Sequence, residues 1–419
     1  MNILWISNIV FPEAKAMLNG SDMLKGSGGW MIGALEALLK QGDNVKLSVA
    51  TVSRDVKKLT RLEGKRVTYW LLPYGKGNVK VNHNYEPLWH TVRDAVNPDV
   101  VHLHGTEFSH GLAYIEACGV DNLCVSIQGL TSVYASCFFA GLTRTVIYSS
   151  WTPGTLCFGG IMKSYRELKS RAIGEIEILK RVNHIIGRTS WDRAHVGAIN
   201  PYAEYHYGGE TLRPEFYTDD KWTYSECIPH TIFLSQANTP IKGLHMVLRA
   251  LPIVLRYYPD TIVRVAGRDI TANTTLKQRL MLSDYGNIIR KQIKKNSLEE
   301  NVVFVGQLDA DGMKAEYLRS NVFVCPSSIE NSPNSLGEAQ ILGVPVIASF
   351  VGGIPDMMQD DMEHIYRFED EKVLANKIVE LFDKQGNIDM ESIRQNALRR
   401  HDPVINANEL IEIYNKVKR

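Results

Sequence analysis

The sequence predicts an α/β protein of two Rossmann-like, doubly wound parallel-sheet domains. Three observations predict it. The 419 residues exceed one ordinary core and suit two domains. Short β-branched runs alternate with longer amphipathic stretches in both halves, as successive βαβ units require. Residues 322–355, VFVCPSSIENSPNSLGEAQILGVPVIASFVGGIP, read as strand, loop, helix, strand and loop in one block. Composition agrees: 44% hydrophobic and 22% charged residues describe a globular protein, and a net charge of +1 argues against nucleic acid as the main partner.

In the first half, residues 2–7 read as strand and 8–25 as a long loop. Gly26-Ser27-Gly28-Gly29 opens an amphipathic helix through Leu39 that ends near Gly42. A glycine loop between strand and helix points to phosphate, yet the dinucleotide fingerprint fails at Met31 and no G-x-x-x-x-G-K-[ST] occurs. A close strand–helix turn needing small residues explains the glycines equally well. Residues 45–52 and 67–72 are the next strands, 88–96 a helix, and 99–105 a strand ending at His104. His102, His104 and His110 lack the carboxylate companions that would make them a metal set. Val125-Ser126-Ile127-Gln128-Gly129 is the following strand and turn.

Residues 133–162 are rich in aromatics and glycine. Residues 162–187 read as a long amphipathic helix, its end overlapping the last strand of this half at 184–190. Lys163, Arg166, Lys169, Arg171, Lys180 and Arg181 on it stand against Glu167, Glu175 and Glu177. That pattern is a solvated face, or a basic surface resting on an anionic membrane.

After a polar connection at 218–229, the second half restarts with strand 231–235. Loop 238–243 carries Lys242, and a flexible ammonium after a strand is a usual phosphate partner. Helix 244–256, strand 262–266, helix 276–295, strand 302–305 and helix 311–319 follow, with Arg268 in the loop after strand 262–266. Strand 322–325 ends at Pro326. Ser332 is the expected N-cap and Pro333 the first residue of a helix that Gly343 closes before strand 344–348. The backbone N–H groups at Asn334 and Ser335, with Leu336 next, then face the carboxyl end of the sheet, where oxyanions are held. Glu330 and Glu338 frame this turn with seven residues between them. Alone, Glu338 would merely complete a capping box with Ser335.

The ordered block Cys325-Pro326-Ser327-Ser328, Glu330-x7-Glu338, Gly343-Val344-Pro345-Val346 and Gly352-Gly353-Ile354-Pro355 resembles the donor site of the family 4 (group 1) glycosyltransferases. The resemblance is strong over 231–356 and looser over 26–216. It implies the GT-B fold, two Rossmann-like domains facing a cleft, and retaining transfer from a nucleotide-sugar donor without an obligatory metal or other cofactor. It also implies that Glu330 meets the sugar ring, Glu338 the ribose hydroxyls, and Lys242 the diphosphate, with Gly28 and Gly29 close to the phosphates. His104 falls on the family's strand pattern, at the strand–loop junction. Two positions depart from the family. Gln128 stands where a histidine commonly touches the sugar, and Gln236 where an arginine shares the diphosphate; Arg268 is a candidate to replace that charge.

The expected division is 1–215 for the acceptor-side domain, 216–400 for the nucleotide-sugar domain, and 401–419 for a helix returning to the first. The acceptor is expected to be a glycan or a lipid-linked sugar, in polysaccharide or glycoconjugate synthesis. The alternatives are an impaired sugar-binding or partner subunit, or another GT-B enzyme such as a phosphorylase or epimerase. Six cysteines without C-x-x-C pairing read as reduced thiols. With no signal peptide before the first strand and no long apolar run, the expected place is the cytoplasm, peripheral on the membrane face. Sugar, nucleotide, linkage and oligomeric state carry no sequence signal.

Overall fold

A computed structural model describes residues 1–20, 29–41, 44–74 and 85–418. The chain divides into two compact units. One comprises Met1–Ala135, Glu167–Pro214 and Arg400–Arg419; the other Ser136–Arg166 and Glu215–Arg399.

Among the described residues, the first unit carries one sheet. Its strands are β1 (Asn2–Ile6), β2 (Lys46–Ser53), β3 (Thr60–Glu63), β4 (Val67–Pro73), β5 (Val100–His104), β6 (Leu123–Ser126), β7 (His184–Gly187) and β8 (Glu204–Tyr207). Their order is β3-β4-β2-β1-β5-β6-β7-β8, parallel except for the β3–β4 pair. Strand β1 shows why the strands are apolar throughout. Leu4 and Ile6 enter one core while Ile3 and Trp5 enter the core on the opposite face. The closing helix Pro403–Val417 covers the Trp5 face with Ile413, Tyr414 and Val417, and Trp5 Nε1 donates to the Tyr414 hydroxyl at 2.8 Å.

The second unit holds β9 (Ile228–Leu234), β10 (Ile262–Ala266), β11 (Val302–Gly306), β12 (Ser320–Cys325), β13 (Val346–Ser349) and β14 (Ile365–Tyr366). All pair in parallel, in the order β11-β10-β9-β12-β13-β14. In each sheet the winding reverses once, between β1 and β5 and between β9 and β12. Such switch points open a crevice at the strands' carboxyl ends.

Several boundaries differ from the sequence reading. The loop expected at 8–25 contains the helix Pro12–Asn19, whose N-cap Phe11 makes no side-chain cap and so leaves no capping signal. Edge strand β3 carries no strand signal in the sequence, its charged alternation being that of a surface loop. The helix read to 187 ends at Arg181. The helix read at 276–295 is two, Leu276–Met281 and Asp284–Lys295, because Leu282 is extended and Ser283 Oγ accepts from the Gly286 N–H. Residues 136–166, placed with the first half, pack on the second unit. There Asn287 Nδ2 donates to the Ser150 carbonyl at 3.0 Å and the Ile161 N–H to the Asp284 carboxylate at 3.0 Å. All six cysteines are free thiols. No described helix is long and apolar enough to cross a membrane.

Candidate functional site

The second unit's switch point is built from two loops locked together. Pro240–Lys242 is a 3-10 turn after β9. Gly243 follows in the left-handed region at φ 72°, so that Leu244–Val254 can start. A Cβ on Gly243 would lie 1.7 Å from the Pro326 carbonyl oxygen. The Ser328 N–H donates to the Ile241 carbonyl at 2.8 Å. Backbone contact thus fixes the loop after β9 against the loop after β12.

That stitching brings Lys242 Nζ within 2.5 Å of Glu330 Oε1. Ser327 Oγ donates to the same oxygen at 2.7 Å, and the Glu330 carbonyl accepts from the Gly353 N–H at 3.0 Å. Burial disfavours the Lys242 ammonium, but the Glu330 charge and hydrogen bond outweigh it and raise the pKa above 10.5. Beside them, burial pushes the Cys325 thiol up to about 12, keeping it inert. From the other side, Ser328 Oγ donates to the Cys137 carbonyl at 3.1 Å, and His245 holds the Ala140 carbonyl at 2.8 Å. Segment 136–142 therefore walls this site, a role only long-range contacts reveal.

The helix after β12 is Asn334–Ile341. Pro333, not Ser332, sits at the N-cap with φ −70° and ψ 119°, and no side chain caps the end. Ser335 is consequently inside the first turn, and the capping-box explanation of Glu338 fails. The N–H groups at Asn334 and Ser335 precede any intrahelical acceptor, whereas the Leu336 N–H donates to the Pro333 carbonyl at 2.9 Å. Glu338 is 3% exposed, one turn in. Gln236 and Arg268 are both exposed, in the loops after the adjacent strands β9 and β10. The loops after β9, β10 and β12, with the helix that follows β12, thus carry every second-unit candidate.

In the first unit, Gly28 lies outside the described residues. Gly29 begins the helix Gly29–Lys40, and a Cβ there would meet Arg213 Cγ at 2.7 Å, so the glycine admits that side chain. His104 closes β5 and is 4% exposed, its ring 3.7 Å from that of His102 and 4.4 Å from Trp5. Neither ring nitrogen has a hydrogen bond among the described residues. Burial first, then His102 and Arg188, hold its pKa well below the usual range, so it is a neutral imidazole. His102 is spent on Tyr414 and Ser126, and His110 on the Ser7 carbonyl, so these three do not converge on an ion. Gln128 Oε1 accepts from Arg188 Nη2 at 3.3 Å, and Arg188 also pairs with Glu210 at 3.1 Å.

Sequence reasoning missed a carboxylate pair at the β1/β5 switch point. Asn8 Nδ2 donates to Glu107 Oε2 at 3.1 Å, and a Cβ on Gly105, at φ 88°, would collide with both. Burial, with the nearby Glu175 charge, pushes the Glu107 carboxyl up to about 7. Such a group exchanges a proton near neutrality. Glu175 itself is fully buried and accepts from Thr106 Oγ1, the Thr131 and Ser132 N–H groups and Ser132 Oγ. Its signal was present: Ala172, Glu175, Ile178, Leu179 and Val182 share one buried helical face.

Residues 228–384 match the family described as glycosyl transferases group 1. A phosphatidyl-myo-inositol mannosyltransferase of Mycobacterium leprae is 27% identical over 192 residues, covering 44% of this chain and 46% of that protein. The chain spans less than half the length of the curated relatives it matches. Sucrose-phosphate synthase from Thermosynechococcus elongatus has a TM-score of 0.70 at 16% identity, over 99% of this chain and 98% of that one. Anabaena HepE in complex with UDP-glucose gives 0.63 at 14%, over 99% of both chains. These whole-chain likenesses establish the GT-B fold.

Proposed function

We propose the activity of a chain whose residues 228–384 match the group 1 glycosyl transferases. It is retaining transfer of a sugar from a nucleotide-sugar donor to a glycan or lipid-linked acceptor, in polysaccharide or glycoconjugate synthesis. One observation carries this reading: the Lys242–Glu330 pair at 2.5 Å, at the second unit's switch point. The ammonium rests on the carboxylate. A diphosphate gives Lys242 a more highly charged partner and releases Glu330 to accept from the hydroxyls of the sugar ring. The leaving diphosphate is stabilised by Lys242 and the helix start at Asn334 and Ser335 as the oxocarbenium-like state forms. Glu338 binds the ribose. His104, Gln128 and Gly29 serve the reaction as hydrogen-bonding or close-approach positions, and Glu107 meets the acceptor. The UDP-glucose bound by HepE and the lipid acceptor named in the mycobacterial relative support donor and acceptor classes.

Release of free nucleoside diphosphate from a panel of nucleotide sugars tests the activity; a protein that binds donors but releases none with any acceptor is a binding subunit instead. The two glutamates should separate in the same assays. Glu338→Ala weakens binding of the free nucleoside diphosphate, whereas Glu330→Ala leaves that affinity nearly intact and lowers turnover. Equal losses of diphosphate affinity overturn the division of roles.

Gln236 tests the charge at the diphosphate. A neutral donor contributes about 1 kcal/mol where a charged one contributes roughly 1.5–3. Gln236→Arg should therefore tighten nucleoside diphosphate binding about tenfold, the equivalent of 1.4 kcal/mol, measured by calorimetry. Unchanged affinity, together with collapse in Arg268→Ala, assigns the charge to Arg268.

The membrane contact shifts from the basic stripe to a mixed face. Arg171 is engaged with the Phe108 ring at 4.9 Å, but Trp151, Leu156 and Phe158 are 46–70% exposed, next in sequence to exposed Lys163 and Arg166. Aromatic and basic side chains together favour an anionic bilayer surface, each cation contributing about 1 kcal/mol. Leu156→Glu with Phe158→Glu should abolish co-sedimentation with phosphatidylserine vesicles. Absence of co-sedimentation by the unmodified protein at low salt ends this reading.

A further inference from the structure

We propose that His184, Glu204 and His206 form a binding site for one divalent transition-metal ion, with zinc the best chemical match, at the edge of the first unit's sheet.

The backbone sets up the cluster. His184 opens β7 and Glu204 opens β8, and the two are register partners. His206 lies two residues on along β8, so Glu204 and His206 share a face by the period of two. His184 and Ile186 point to that face as well, and Ile186 packs there with Ile413 of the closing helix. Three metal-ligating side chains thus converge by strand register, from residues 22 apart in sequence at the closest approach. No sequence spacing announces that.

The distances suit an ion. His184 Nδ1 shares a hydrogen bond with His206 Nε2 at 3.0 Å, the place an ion would take, and lies 3.7 Å from Glu204 Oε2. One ligand atom from each residue falls within a 4.8 Å envelope. Two ligands on a tetrahedral zinc, each about 2.0–2.2 Å from it, stand roughly 3.3–3.5 Å apart. The observed separations straddle that value, so small rotamer adjustments admit the ion. Two imidazoles and a carboxylate are a zinc ligand set, with the fourth position left to water.

One ligand is enclosed and the other two are more open to solvent. His206 is 5% exposed, and burial, with a smaller opposing pull from the Glu204 charge, holds its pKa below the usual value. Lys416, on the closing helix, adds a positive charge close enough to bear on His206 and so opposes an ion. The ion would tie β8, an edge strand paired only through β7, to its neighbour. It sits at the amino ends of these strands, whereas His104 and Gln128 occupy carboxyl ends. Its role is to brace the sheet edge rather than to take part in transfer.

Cobalt(II) serves as the spectroscopic probe, added to full-length protein stripped with a chelator. One equivalent should produce the visible absorption of a tetrahedral site, and zinc should displace it. His184→Ala, His206→Ala and Glu204→Gln should each weaken binding at least tenfold. Glu204 is 56% exposed at its side chain, so its variant folds even if the buried histidine's does not. Lys416→Gln should bind more tightly. Zinc should raise the Tm of the unmodified protein and leave that of Glu204→Gln unchanged. Asp361, Glu363 and His364 form the other candidate cluster among the described residues. Cobalt binding that is lost in His364→Ala and kept in His184→Ala overturns the proposal, as does absence of stoichiometric binding.

Discussion

Lys242→Ala is expected to reduce transfer about 10²–10³-fold, the usual consequence of deleting one preorganised stabiliser of developing charge. The same change acts on the fold. Glu330 is 7% exposed, and without the ammonium its carboxylate keeps the Ser327 hydroxyl as a neutral donor. An under-satisfied buried group costs about 1–3 kcal/mol, so thermal stability should fall as well. The double variant Lys242→Ala/Glu330→Gln separates the effects. Removing the buried charge should recover most of the stability and none of the transfer. Recovery of transfer would show that Lys242 merely neutralises Glu330. The pH profile gives an independent check. Because the folded Lys242 pKa lies above 10.5, its contribution to stability is complete below that value. It is lost as pH climbs through the raised folded value. The unmodified protein should therefore show an alkaline loss of stability that Lys242→Ala lacks, followed by denaturant titration at increasing pH.

Legibility in the sequence followed the range of the contacts. Strand β12, the helix after it and Gly343 were readable because β-branched runs, Pro326 and a left-handed glycine are local signals, and the structure gives Gly343 a φ of 71°. The helix start was displaced by one residue because Ser332 looks like a cap while the backbone of Pro333 takes that role. Glu330 and Lys242 are each legible, but their direct ion pair joins positions 88 apart in the chain. What no local pattern carries is the attachment of segment 136–142 to Ser328 and His245, or the inward turn of Glu175. A charged residue on a charge-laced helix looks solvated until its face is counted. His104 was legible as a position and not as an environment: burial, with the His102 and Arg188 charges, keeps it neutral, and Arg188 is distant in sequence.

Gly352→Ala should lower turnover about 100-fold while sparing nucleoside diphosphate affinity. Gly352 has φ 53°, and a Cβ there would lie 1.8 Å from the Glu330 carbonyl oxygen and 2.9 Å from its carbonyl carbon. Real Cβ contacts essentially never fall below 3.0 Å, so the Glu330 backbone must retreat by more than 1 Å. Backbone cannot swing aside as the end of a flexible side chain does. The retreat also strains the Gly353 N–H bond to the Glu330 carbonyl, now 3.0 Å, and draws the carboxylate from Lys242. A misplacement of about 1 Å at a reacting centre can cost on the order of 10²-fold in rate. Lys242 and Glu338 keep their places, so the diphosphate still binds. Left-handed strain alone costs an alanine roughly 1–2 kcal/mol, and Gly343→Ala isolates that term. Gly343 has φ 71°, but its nearest neighbour would be Arg394 Cδ at an ordinary 3.5 Å. Gly343→Ala should lose stability and retain turnover; Gly352→Ala should lose turnover beyond what its stability explains. Equal turnover in the two variants would detach Gly352 from the chemistry and leave it a turn residue.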